Sequence, residues 1–166
     1  MNNTRDDERI RKQELQDYED TKSILTDIFS DYTTTFTQMP EFSHSDMRME
    51  VVGHQPHLYN VEIKTRNQDM TKYQTLPLKE AKLQRLVADT KEDEKLIYVV
   101  LVNGTEYFIF DLDNIDFNTV EKRNWRIKKQ EYNIGGSKYI NVPTYFIPIE
   151  LSVNNGLIKN KNYANN

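Results

Sequence analysis

The chain has 166 residues, 37% of them hydrophobic and 29% charged, with a net charge of −4 and a pI near 5.4. That length supports one domain with a real core, and the absence of cysteine excludes disulfides, thiolate metal sites and cysteine nucleophiles. The acidic balance argues against a coat that holds duplex DNA by charge alone, although an acidic metal centre would itself add negative charge. The first residues, MNNTRDDERIRKQ, hold no apolar stretch, and no run approaches the roughly 18 apolar residues that span a bilayer. A soluble, cytoplasmic protein with no membrane partner is the expectation.

Residues 8–30 have the period of an amphipathic helix, with Ile10, Tyr18, Leu25, Ile28 and Phe29 on one face. Glu14 falls near the centre of that face, where an acid needs a partner or a metal. Residues 32–43 carry a proline and no helical period, which suits a connection with room for a short strand. Two alternating runs follow. Met47, Met49 and Val51 alternate with Asp46, Arg48 and Glu50, and Tyr59, Val61 and Ile63 alternate with Asn60, Glu62 and Lys64. With the turn-like GHQPH between them they predict a β-hairpin with one apolar and one polar face.

Residues 78–89 (LKEAKLQRLVAD) have helical spacing. The run LIYVVLV (96–102) predicts a strand buried on both faces. Asn103-Gly104 marks a hairpin turn and EYFIFDL the return strand. Residues 118–133 fit either a capped helix or a strand, and TYFIPIEL (144–151) reads as a last strand, at an edge if Pro148 lies within it. Residues 1–153 thus read as a single α/β domain. From Asn154 the Asn-rich segment NNGLIKNKNYANN has little to bury and reads as a disordered tail.

The pattern acid-x-Lys occurs five times, and only Glu62-Ile63-Lys64 lies on a predicted strand with an apolar residue at its centre. Side chains at i and i+2 share a face, so Glu62 and Lys64 project together while Ile63 enters the core. A turn centred at Gln55 sets Asp46 opposite Lys64 and Arg48 opposite Glu62, bringing Asp46, Glu62 and Lys64 within roughly 5–8 Å of one another. A slip of two residues keeps all three on that face. Two such carboxylates repel, and a divalent cation holds both ionised. Mg²⁺ or Mn²⁺ would take oxygens from Asp46, Glu62 and the Ile63 carbonyl, with Lys64 orienting water or stabilising phosphate charge. The competing reading is a solvated hairpin face with ordinary surface salt bridges.

With these residues in order, the chain resembles the PD-(D/E)XK nuclease superfamily over residues 8–112. VEIKTRN, LPLKEAKLQRLVAD and KLIYVVLVNGTEYFIF are similar in layout to Holliday junction resolvases and small phage nucleases. The resemblance implies a restriction-endonuclease-like core, a central mixed sheet of about four to five strands flanked by helices. It implies a Mg²⁺- or Mn²⁺-dependent DNA endonuclease acting as a homodimer on duplex or branched DNA. Asp46 and Glu62 become metal ligands, Lys64 the catalytic lysine and Glu14 the first-helix acid. Arg66, Lys79, Lys82 and Gln84 fall where related nucleases contact substrate. The chain departs from the pattern in lacking a proline before Asp46, where it has Ser43-His44-Ser45, and no Gln-x-x-x-Tyr motif follows. The alternative is a non-catalytic nucleic-acid- or protein-binding module that keeps the fold.

Lys122, Arg123, Arg126, Lys128 and Lys129 surround Trp125, with Tyr132 nearby. That mixture suits a nucleic-acid contact through Arg126 and Lys128, or a plain solvated face. His44, His54 and His57 are too irregularly spaced for a zinc site.

Overall fold

The computed structural model describes residues 3–41, 43–53, 57–128 and 139–158, without the side chains of residues 3–7 and of Lys128. The amphipathic segment forms helix α1 (Asn3–Ile28). Ile24 and Leu25 are its buried anchors, with Tyr18, Ile28 and Phe29 packed around the same cluster, while Ile10 and Leu15 stay exposed. Packing therefore uses the C-terminal half of the apolar stripe.

Next in the chain come β1 (Thr33–Gln38), β2 (Met47–Val52), β3 (His57–Arg66), β4 (Thr75–Lys79) and helix α2 (Glu80–Asp89). They are followed by β5 (Glu94–Val102), β6 (Glu106–Asp111), β7 (Lys122–Lys128), β8 (Tyr139–Pro148) and β9 (Asn154–Leu157). Six strands form one sheet in the order β1-β2-β3-β5-β6-β9, and β4-β8-β7 form a second. Within the larger sheet only β3 and β5 run parallel, so the fold is α/β with a mixed sheet. The connection between them contains β4 and α2, as a parallel pair requires a crossover.

Each face of the large sheet carries a core. On one, Ile24 and Leu25 of α1 meet Met47, Met49, Val51, Val61, Val99 and Leu101. On the other, Leu83 and Leu86 of α2 join Leu76, Leu78 and Ile147 of the small sheet against Leu96, Tyr98, Val100 and Phe110. β5 feeds both, which is why its sequence is an unbroken apolar run. Leu25 is 1% exposed, and Leu25→Ala is expected to cost about 2–5 kcal/mol by opening a cavity under α1. Denaturant unfolding followed by circular dichroism checks this, and a loss within error of zero would mean that α1 contributes nothing to the fold.

Several expectations are corrected. Among the described residues the sheet has six strands rather than four or five, and a second sheet accompanies it. The predicted helix at 78–89 begins at Glu80, because Leu76 and Leu78 alternate as strand residues of β4 paired with β8. The ambiguous basic segment supplies strand β7, while Lys129 and Tyr132 lie outside the described residues. β8 is the middle strand of its sheet rather than an edge. It tolerates Pro148 because that residue ends the strand, and Pro143 because β4 begins to pair only at Thr144. Asn154–Leu157, expected as part of a disordered tail, forms β9 against β6, and residues 159–166 lie outside the described residues. The Asn103-Gly104 turn has φ of 53° and 67°, the left-handed pair that the hairpin signal demands.

Candidate functional site

Strand lengths create the site. β2 pairs with β3 only as far as Met47 and Val61, whereas β5 accompanies β3 through Arg66. Beyond Val61, the side of β3 that faced β2 is left to the chain just before β2. Asp46 fills that place. Its backbone N–H donates to the Val61 carbonyl at 3.0 Å, and its carboxylate Oδ2 accepts from the Ile63 N–H at 2.7 Å. The N–H and C=O of a strand residue point the same way, so the Ile63 carbonyl also faces this gap.

The observed register places Arg48 opposite Asn60 and Glu50 opposite Leu58, two residues away from the register expected with a turn at Gln55. Residues 54–56 of that turn lie outside the described residues. The ladder stops at Met47 and Val61, and Asp46 bonds the Val61 carbonyl and the Ile63 N–H, which flank Glu62, instead of lying opposite Lys64. Arg48 does not meet Glu62; it pairs with the buried Glu94 at 3.2 Å.

Glu62 and Lys64 project from β3 on the face shared with Tyr98 and Val100, their partners on β5. Glu62 is 5% exposed, and Lys82 from α2 meets its Oε2 at 2.8 Å. Burial, then the charge of Asp46, push the Glu62 carboxyl up to about 8, against the downward pull of Lys82. Lys64 and Asp46 are exposed. A cavity of about 270 Å³ opens over this face, with Glu62, Lys64, Arg66, Lys79, Lys82 and Arg85 in its lining and Tyr98 and Pro77 in its wall. Burial, Lys64 and Arg66 hold the Lys79 ammonium below its usual range. The Tyr98 hydroxyl and the Arg66 guanidinium both donate to the Pro77 carbonyl, at 3.2 and 3.3 Å, joining the floor to β4. Arg66 also lies 5.7 Å from the Trp125 ring centroid.

Not every sequence candidate arrives here. Glu14 is exposed on α1, and α1 packs on the opposite face of the sheet from Glu62. Asp17 of α1 does touch β3, accepting from the Thr65 hydroxyl on that far face. Gln84 is exposed and outside the cavity lining. Lys79 lies at the end of β4 instead of on the helix. Arg126 projects from β7 with its guanidinium 4.6 Å from the Tyr139 ring centroid, away from the lining, and the Lys128 side chain is outside the described residues. Sequence reasoning passed over Arg85, one turn beyond Lys82 on the same helix face, and Tyr98, whose position opposite Glu62 depends on the β3–β5 register.

Among the described residues, no group of three or more His, Cys, Asp or Glu side chains is placed to hold a metal ion. Mg²⁺ asks for less, since one or two carboxylates suffice when water and substrate phosphate complete the octahedron. The donor set fits that smaller demand: two neighbouring carboxyls, one of them buried and hard to ionise alone, beside a main-chain carbonyl. No helix among the described residues is long and apolar enough to cross a membrane. Comparison with family models, curated proteins and solved structures gives no match to this chain.

Proposed function

We propose that this chain is a metal-dependent DNA endonuclease with a restriction-endonuclease-like core of the PD-(D/E)XK kind. The observation that carries the proposal is the meeting of Asp46 and Glu62 beside five cationic side chains in one cavity. Asp46, Glu62 and the Ile63 carbonyl would hold Mg²⁺ or Mn²⁺. When bound, such an ion supplies positive charge that polarises a phosphodiester and favours ionisation of water.

The remaining work falls to the chain. Lys64 shares the Glu62 face of β3 and is exposed at the cavity, where its ammonium orients a water or neutralises charge growing on the phosphate. Arg66, Lys79 and Arg85 offer donors to phosphate oxygens. Tyr98 in the wall keeps Glu62, though not the exposed Asp46, in a medium of low polarity, which strengthens the charge interactions of that carboxyl. DNA, duplex or branched, is the substrate, and a homodimer would present two such sites to two strands.

Incubation of purified protein with branched and linear DNA, in Mg²⁺, Mn²⁺ or EDTA, tests the proposal. Cleavage only with the divalent ion is the expected result, and no cleavage of any DNA would overturn it. A second reading, a binding module that keeps the fold without catalysis, draws support from Lys82, whose ammonium at 2.8 Å already offers Glu62 Oε2 a counter-charge. It expects neither cleavage nor any rise in melting temperature on adding Mg²⁺ or Mn²⁺.

A further inference from the structure

Five cations and a single buried carboxylate line the cavity, yet only one of the cations, Lys82, forms an ion pair with Glu62. Its ammonium sits 2.8 Å from Glu62 Oε2, in the place of a counter-ion. The Lys82 side chain is about one-third exposed and extends from α2, whose neighbouring Leu83 and Leu86 are anchored in the core. The helix is therefore fixed while the lysine tip, on a flexible four-carbon stem, can swing. Around it, Lys64, Arg66, Lys79 and Arg85 already crowd the same space, so a second cation arriving at Glu62 meets strong repulsion unless a charge leaves.

We propose that Lys82 is a switchable cation, holding Glu62 in the metal-free protein and turning to a DNA phosphate when a divalent ion takes its place. The proposal rests on the metal-site reading given above and adds its regulation. Metal and nucleic acid then bind as mutual promoters. The ion frees Lys82 for phosphate, and phosphate draws Lys82 away from the ion's ligand. Linkage requires the two effects to be equal in size.

Anisotropy of a short fluorescein-labelled DNA duplex tests this without turnover, titrated in EDTA and again in Ca²⁺, a hard cation that takes the same oxygen ligands. Wild type should bind more tightly in Ca²⁺ by about tenfold, within the usual range of coupling between sites. Lys82→Met should lose most of that gain. Lys79→Met, which removes a cavity cation without an ion pair to Glu62, should weaken binding in both conditions and keep the ratio. Lys82→Gln repeats the test with a polar side chain that can still donate to Glu62, should the methionine variant fail to fold. A Lys82 variant that folds and retains the wild-type ratio would overturn the switch while leaving the metal site standing. Equal wild-type affinity in EDTA and Ca²⁺ would overturn the switch, and a melting temperature unmoved by Mg²⁺, Mn²⁺ or Ca²⁺ would overturn the metal site beneath it.

Discussion

Asp46→Asn is expected to lose metal-dependent DNA cleavage by at least about a thousandfold, of the order lost when one group that stabilises transition-state charge is removed. The fold should persist, because an asparagine oxygen can still accept from the Ile63 N–H that now bonds Asp46 Oδ2. Its melting temperature should accordingly stay within a few degrees of wild type. Lys64→Ala makes a second arm. Lys64 is exposed and forms no ion pair among those of the described residues, so its removal should leave stability alone and cost cleavage about a hundredfold to a thousandfold. Single-turnover rates on labelled DNA with saturating Mg²⁺ measure both. Wild-type rates in either folded variant would remove these side chains from the chemistry.

Stability of the metal-free protein should depend on pH through Glu62. An ordinary glutamate near 4.5 rises to about 8 in the folded chain, through burial first and Asp46 second. Below the ordinary value both folded and unfolded chains hold the proton, and Glu62 costs nothing. Between 4.5 and about 8 the unfolded chain releases its proton while the folded one keeps it, so stability falls as pH rises. Above that window the loss is complete, at roughly 5 kcal/mol as an upper bound. Glu62→Gln removes this cost, and Lys82, one-third exposed, can then turn to solvent. The variant should melt close to wild type at pH 5 and above it at pH 9, by at most roughly 10–20 °C. Mg²⁺ should narrow that gap by stabilising wild type alone. Differential scanning fluorimetry at the two pH values decides, and an equal gap at both would show that Glu62 titrates normally.

What the sequence disclosed about this site was phase, and what it withheld was register and depth. Alternation alone fixed which residues of β2 and β3 face together, because a two-residue slip preserves the face. The length of the turn did not follow from GHQPH, so Asp46 was placed opposite Lys64 when it bonds the main chain of Val61 and Ile63, on either side of Glu62. Depth failed on α1. A wheel assumes that the whole stripe is used, yet only the end near Leu25 is packed, and Glu14 remains in solvent. β4 was lost to the strong helical pattern that begins one residue later, and with it the second sheet. Leu76 and Leu78 supply only two apolar positions, too few to establish a period of two. LIYVVLV was plain because residues buried on both faces leave no polar interruption.

The small sheet also dictates when the cavity can exist. β4 carries Pro77, Leu78 and Lys79 to the cavity wall, but among the described residues its sheet partner is β8, with Thr75 paired to Pro148. Closing that contact brings together positions roughly seventy residues apart, an entropic demand met only once most of the chain is present. During synthesis the α1 face of the large sheet can begin to assemble early, whereas the wall over Glu62 must wait for the residues near Thr144 to leave the ribosome. The wall that carries Lys79 is therefore added to acids that β3 and the residue before β2 can already bring together.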